Sequence, residues 1–340
     1  MSANTDQWRR AVRLLLDPNS TDESRVEAAD SLACSDTRGQ NAIRKLKGIP
    51  ALISLLISED SELVRSLVAA LVSLTCDNHR NMVAVRAARG IPRLVNLLSS
   101  ASQPVLKKVL MLIDNIAEPR FNRRAIRRSG GIIALINLLS HSNDEIVEWA
   151  AIALRAVGYN YTTISPMISD SINRRAIINA DGVSALVSAF DSQRVETRRA
   201  AVNALDVLRY IKFFSSFCPP ADNRDAIRLG GGIPPLVKLL KDPDETVRRR
   251  AAFTLIRLAW NWDDDNNSGN TANQTAILRA GGIRLLREAQ VSFDHLVELV
   301  TPGPYKDEET ITLKLPPGTV LVTGNGDFVR RAVEQIHGPQ

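Results

Sequence analysis

The chain has 340 residues, 44% of them hydrophobic, and a formal charge of +6 from 43 Lys and Arg against 37 Asp and Glu. No apolar run reaches the ~18 residues that a membrane span needs, and the first residues lack the basic-then-apolar order of a secretory leader, so a soluble cytoplasmic or nuclear protein is expected. Cys34, Cys76 and Cys218 are too few and too scattered for a disulfide framework or a zinc cage, and buried, reduced thiols are expected.

The first two predicted helices are Trp8-Arg-Arg-Ala-Val-Arg-Leu-Leu-Leu and Ser24-Arg-Val-Glu-Ala-Ala-Asp-Ser-Leu-Ala, both with apolar residues at helical spacing. From residue 48 one phrase then recurs: Gly48-Ile-Pro-Ala-Leu-Ile-Ser-Leu-Leu, and again from Gly90, Gly131, Gly182, Gly232 and, decayed, Gly282, at spacings of 42, 41, 51, 50 and 50 residues. A phrase of this period marks an array of stacked helical units. Nine residues before five of these glycines stand Asn81, Asn122, Asn173, Asn223 and Asn273, each opening a short predicted helix with a glycine stop. Ile-Pro then opens a second helix, where proline is tolerated in the first turn. After a polar break comes a third helix of small and apolar residues: Leu63 to Leu74, Val105 to Ala117, Ile146 to Val157, Val195 to Leu208 and Val247 to Ala259.

The 50-residue periods come from insertions after third helices, and these carry Tyr159, Tyr161, Phe213, Phe214, Phe217, Trp260 and Trp262. Equivalent insertions emerge on one edge of a stack, so the loops either form an aromatic contact ridge or pack on one another. Asp263-Asp264-Asp265-Asn266-Asn267 lacks the spacing of a calcium loop, and no metal is assigned. Beyond residue 290 the period ends. Thr310-Ile-Thr-Leu-Lys-Leu and Thr319-Val-Leu-Val-Thr read as a short β-hairpin, and Asp327 to Ile336 as a helix. A nucleotide turn at Gly324-Asn-Gly fails, because Asp327 and Arg330 stand where further glycines are needed.

The paired phrases, most complete from Asn223 to Leu240, resemble the armadillo repeat family over roughly residues 8–290. The resemblance implies an all-α, right-handed superhelical solenoid of three-helix repeats. The expected division is an N-terminal capping partial repeat (1–39), an array of about five repeats with a degenerate last one (40–290), and a C-terminal hairpin-plus-helix tail (291–340). It further implies that the third helices line a concave groove for extended peptides. Family members that bind basic import signals carry Trp-x-x-x-Asn there. In this chain the Asn position holds Cys34, Ser73, Asn115, Ala156, Val207 and Arg257, and the Trp position holds Asp30, Ala69, Met111, Ile152, Asn203 and Phe253. That ladder is largely missing, which argues against an import role.

One turn earlier the aligned residues are Arg65, Lys107, Glu148, Arg199 and Arg249, four of them basic. Such a row favours an acidic or phosphorylated segment, as the catenin branch of the family does, although arginines on amphipathic helices are also commonly solvated. A second basic set, Arg123, Arg124, Arg127, Arg128, Arg174, Arg175, Arg224 and Arg228, lies on the first helices and is expected to form an edge stripe suited to nucleic acid or an anionic surface. His79, His141, His295 and His337 sit in no ligand or nucleophile motif, so no catalysis and no cofactor are expected. The leading reading is a noncatalytic scaffold for an acidic or phosphorylated protein segment. The alternatives are polyanion binding through the edge and self-assembly through the tail or the aromatic loops.

Overall fold

The computed structural model describes residues 3–159, 168–209, 223–259, 271–282 and 285–286, and all regular structure among them is helical. The chain divides into two compact units, Met1–Leu208 and Arg209–Gln340. The first opens with α1 (Ala3–Leu16) and α2 (Asp22–Ala33) and continues with four three-helix repeats. These are α3 (Thr37–Lys45), α4 (Gly48–Ser54) and α5 (Ser61–Thr75); then α6 (His79–Ala87), α7 (Gly90–Ser100) and α8 (Gln103–Ile116). They continue with α9 (Arg120–Arg128), α10 (Gly131–Leu138) and α11 (Asp144–Gly158); then α12 (Ile168–Asn179), α13 (Gly182–Ser188) and α14 (Val195–Leu208). The second unit contains α15 (Asn223–Leu229), α16 (Ile233–Lys238), α17 (Glu245–Ala259) and α18 (Thr271–Arg279).

In the first unit like packs on like. First helices contact in the order α3, α6, α9, α12; second helices in the order α4, α7, α10, α13; third helices in the order α2, α5, α8, α11, α14. Each helix buries one stripe, such as Leu67, Leu71 and Leu74 of α5 or Leu112, Ile113 and Ile116 of α8, against its own repeat and both neighbours. Side-chain caps start several of them: Asp36 accepts from Gly39 N at 2.7 Å, Asp60 from Glu62 N at 2.7 Å and Asn143 from Glu145 N at 2.9 Å.

The phrase glycine has a different job from the stop expected of it. The left-handed residue that ends each first helix is the one before it: Lys47, Arg89, Gly130, Asp181, Gly231 and Gly281 all have positive φ. The phrase glycine is needed for closeness. A Cβ on Gly131 would stand 2.6 Å from Ile126 Cγ2 and 2.9 Å from Ile126 O, so the second helix can start against the first only without a side chain there.

The recurring Asn is likewise not a helix cap. Asn78, three residues earlier, caps α6. Asn122 is 0% exposed; its Nδ2 donates to Met82 O of the preceding first helix and to Ile116 O at the end of its own repeat's predecessor α8, both at 2.9 Å. Its Oδ1 accepts from Arg86 Nε at 3.1 Å. Asn81 donates to Gln40 O and Leu74 O, Asn173 to Val157 O, and Asn273 to Leu258 O. Arg127 Nε meets Asn173 Oδ1 at 2.9 Å and Arg228 Nε meets Asn273 Oδ1 at 3.0 Å. The result is a buried polar ladder that ties α6, α9 and α12 each to the first helix before it, and α18 to α15. At its first rung Arg44 Nε and Asn81 Oδ1 hold the matching places and are both buried without a hydrogen bond. In α3 the Asn position is Gly39, where Trp8 lies so close that a Cβ would be 2.6 Å from its Cζ2.

Cys34 and Cys76 are exposed, contrary to expectation, because each is the C-cap residue of a third helix, beyond the buried stripe. The C-terminal hairpin and helix, Tyr161, Phe213, Phe214, Phe217, Trp260, Trp262, Cys218 and the Asp263–Asn267 run lie outside the described residues.

Candidate functional site

On α5, α8, α11 and α14, Arg65, Lys107, Glu148 and Arg199 are half-buried, as are Ala69, Met111, Ile152 and Asn203 one turn on, while residues between them such as Leu67, Val109, Ala150 and Ala201 are buried. Helical spacing and the packing order therefore bring these side chains into register on one exposed surface of the first unit. In the second unit α17 carries the equivalent Arg249, Phe253 and Arg257, with the Arg257 guanidinium 3.9 Å from the Phe253 ring centroid.

The charges on this face are already partnered. Arg65 pairs with Glu62 on its own helix, and Lys107 reaches across to Glu145 of the next repeat. Glu148 receives Arg194 at 3.2 Å, and Arg249 lies 3.7 Å from Glu245. The hydrogen bond from Arg65 holds the Glu62 carboxyl below the usual range, and that from Lys107 does the same for Glu145. Asn115 is also spent: its Nδ2 donates to Val72 O at 3.2 Å and Thr75 Oγ1 at 3.4 Å. It braces α8 against α5 and offers no free N–H to a peptide backbone.

Three further charges on this face escaped the sequence reading. Asp114, Arg155 and Asp206 occupy one register position on α8, α11 and α14, three residues beyond Met111, Ile152 and Asn203. Burial pushes the Asp114 carboxyl above its ordinary range, and the nearby Arg155 charge offsets only part of that. The signal was available, since i+3 from a groove residue lies on the same helical face. Trp149, half-buried beside Glu148, was also passed over because it stands one residue off the aligned row.

The first-helix arginines divide into two kinds. Arg123 and Arg174 are only 1% and 5% exposed; their guanidinium groups donate to Ala117 O and Gly158 O and close the C-terminal ends of α8 and α11. Arg127 and Arg228 belong to the ladder. Arg124, Arg128 and Arg175 are exposed, and Arg224 is half-buried. The eight residues thus do not form a single stripe, because adjacent positions on a helix point about 100° apart. His141 has a turn role, its Nδ1 accepting from Asn143 N at 3.0 Å.

No group of three or more His, Cys, Asp or Glu able to hold a metal occurs among the described residues, and no helix among them is long and apolar enough to cross a membrane. The elements thus define a class, an α-solenoid of three-helix repeats with a half-exposed third-helix face. Comparison with known proteins agrees. The Armadillo-like family model matches residues 87–169 and the HEAT repeat model residues 233–259. An engineered protein of solved structure is 27% identical with a TM-score of 0.74, covering 98% of this chain and 69% of its own. A designed armadillo repeat protein in complex with the peptide (KR)4 superposes with a TM-score of 0.62 at 20% identity, over 73% of this chain and 97% of its own. Computationally designed armadillo repeat proteins for modular peptide recognition give 0.63 at 21% identity, over 73% and 98%. Among curated proteins no sequence matches. The fold is the armadillo-type repeat fold, and the chain is similar to the Armadillo-like family over residues 87–169.

Proposed function

We propose that the third-helix face of the first unit binds an extended protein segment, and that it selects phosphorylated over merely acidic sequence. The observation that carries this reading is the arrangement of Arg65, Lys107, Glu148 and Arg199, half-buried on four consecutive packed helices. Neighbouring helices stand about 8–10 Å apart and an extended chain, whose alternate side chains share a face, advances about 7 Å per two residues, so one repeat serves about two peptide residues. Phosphates two residues apart meet Arg65 and Lys107, Glu148 disfavours an acid at the third step, and Arg199 accepts one at the fourth.

Phosphate is favoured because the cations already hold carboxylates. An acidic side chain would exchange one carboxylate for another, and exposed pairs of that kind are worth only about 0–1 kcal/mol. A phosphate brings close to two charges and three acceptor oxygens, and so displaces Glu62 and Glu145 with a net gain. The designed neighbours that take peptides support the use of this fold for extended segments. The row's sign is unsuited to a peptide such as (KR)4.

Fluorescence anisotropy tests the reading with one peptide in three forms: doubly phosphorylated at i and i+2, glutamate-substituted, and unmodified. The expected order is phosphorylated tightest by about tenfold or more, with the preference lost in Arg65→Glu/Lys107→Glu. Equal binding of all three forms refutes it.

A further inference from the structure

Arg65, Lys107 and Arg249 of the third-helix face are ion-paired, whereas eight cations on the first helices and the turns that end them are not. On α3, α6, α9 and α12, and the turns that end them, Arg38, Lys45, Lys47, Arg80, Arg89, Arg124, Arg128 and Arg175 are exposed. None of these eight side chains makes an ion pair or hydrogen bond among the described residues. Helices α3, α6 and α9 contain no Asp or Glu; the nearest acids, Asp36, Asp77 and Glu118, lie in the turns that enter them. Like charges held together without counter-ions raise the potential over the surface, and folding alone does not require them.

The same edge exposes apolar side chains in register. The position before the ladder Asn holds Arg38, Arg80, Phe121 and Ile172 on successive packed helices, and Phe121 and Ile172 are 53% and 43% exposed. Arg120 and Arg86 lie over the Phe121 ring, 4.5 Å and 5.9 Å from its centroid. A ring already faced by guanidinium groups is poorly placed to stack a nucleic-acid base, and Ile172 has no stacking surface at all. Apolar tips set among cations do match the boundary between lipid headgroups and acyl chains.

We propose that the α3–α6–α9–α12 edge docks on an anionic lipid bilayer, its exposed Arg and Lys meeting headgroup phosphates and carboxylates while Phe121 and Ile172 enter the headgroup boundary. Each cation adds an increment and the apolar pair supplies the second signal that stable surface attachment needs. This site is separate from the third-helix face, so either stands if the other fails.

The test is co-sedimentation of the full chain with phosphatidylcholine vesicles with and without phosphatidylserine, alongside anisotropy with a labelled oligouridine. The expected result is binding to phosphatidylserine vesicles alone, falling steeply between about 0.1 and 0.5 M salt. Arg124→Glu/Arg128→Glu/Arg175→Glu is expected to abolish it, and Phe121→Ser/Ile172→Ser to weaken it about tenfold or more, with circular dichroism unchanged. Arg124→Gln/Arg128→Gln/Arg175→Gln replaces the reversal if that variant unfolds. No sedimentation of the wild type, or sedimentation indifferent to either set of changes, overturns the proposal. Oligouridine bound more tightly than vesicles, with Phe121→Ser/Ile172→Ser without effect, overturns it in favour of a nucleic-acid surface.

Discussion

Replacing the fully buried Asn122 with alanine removes three hydrogen bonds. The donors to Met82 O and Ile116 O disappear, and Arg86 Nε loses its acceptor. Ile116 ends α8, so its carbonyl has no intrahelical partner to return to. At about 1 kcal/mol for each lost bond, with the buried carbonyl's desolvation raising the total, the loss is about 3–4 kcal/mol. For a compact unit of this size each kcal/mol moves the midpoint by about 2–4 °C, so Tm is expected to fall by about 10 °C. Asn122→Asp is expected to be worse than alanine, because an acceptor-only side chain then faces two carbonyl oxygens. Thermal unfolding followed by circular dichroism and by calorimetry measures both. A loss under about 1 kcal/mol for alanine, or an aspartate tolerated as well as alanine, would refute the ladder as a stabilising element.

Other expectations concern single side chains. Gly131→Ala is expected to cost about 2 kcal/mol or more in urea unfolding, since Ile126 O cannot retreat without breaking the helix end. Arg89→Gly, at φ 56°, is expected to stabilise by about 0.5–1 kcal/mol in the same assay by relieving a left-handed non-glycine residue. Asp114 has its folded carboxyl raised above the unfolded value, so its ionisation opposes folding, with a cost absent at low pH and growing as pH rises through the carboxylate range. Asp114→Asn should therefore raise Tm near neutral pH, and the gain should vanish below pH ~4. Burial, then Asp77, pushes the Cys76 thiol up, so its alkylation by iodoacetamide should be slow at neutral pH and faster in Asp77→Asn, with mass spectrometry separating it from Cys34.

The helices were legible because period and burial coincide: a Leu-Val-x-Leu-Leu stripe has to be covered, and an identical neighbour 41 or 50 residues on covers it. The same register predicts the third-helix face, whose Arg65, Lys107, Glu148 and Arg199 are each half-buried on successive packed helices. What the register did not disclose was partnership across repeats. Lys107 meets Glu145 and Asn122 meets Met82 and Arg86, at separations of 38, 40 and 36 residues. These pairings depend on how one helix is rotated against the next. The same rotation decides that Arg123 is buried while Arg124 is exposed, a difference that composition alone cannot express. It also decides that exposed cations with no ion pair or hydrogen bond among the described residues cluster on the first helices, at Arg38, Arg80, Arg124, Arg128 and Arg175.

The interlocking Asn and Arg side chains also have a bearing on how such an array can change in length. The Asn122 and Asn173 rungs each take a guanidinium and an acceptor carbonyl from the repeat just before them. A duplication or loss of one whole repeat, cut at any point in the period, leaves every such exchange complete at the new junction. A cut out of period strands an amide against the wrong turn. α12 carries Ile178 where α6 and α9 carry the lending arginine, so a repeat copied from α12 lends no such guanidinium to its successor.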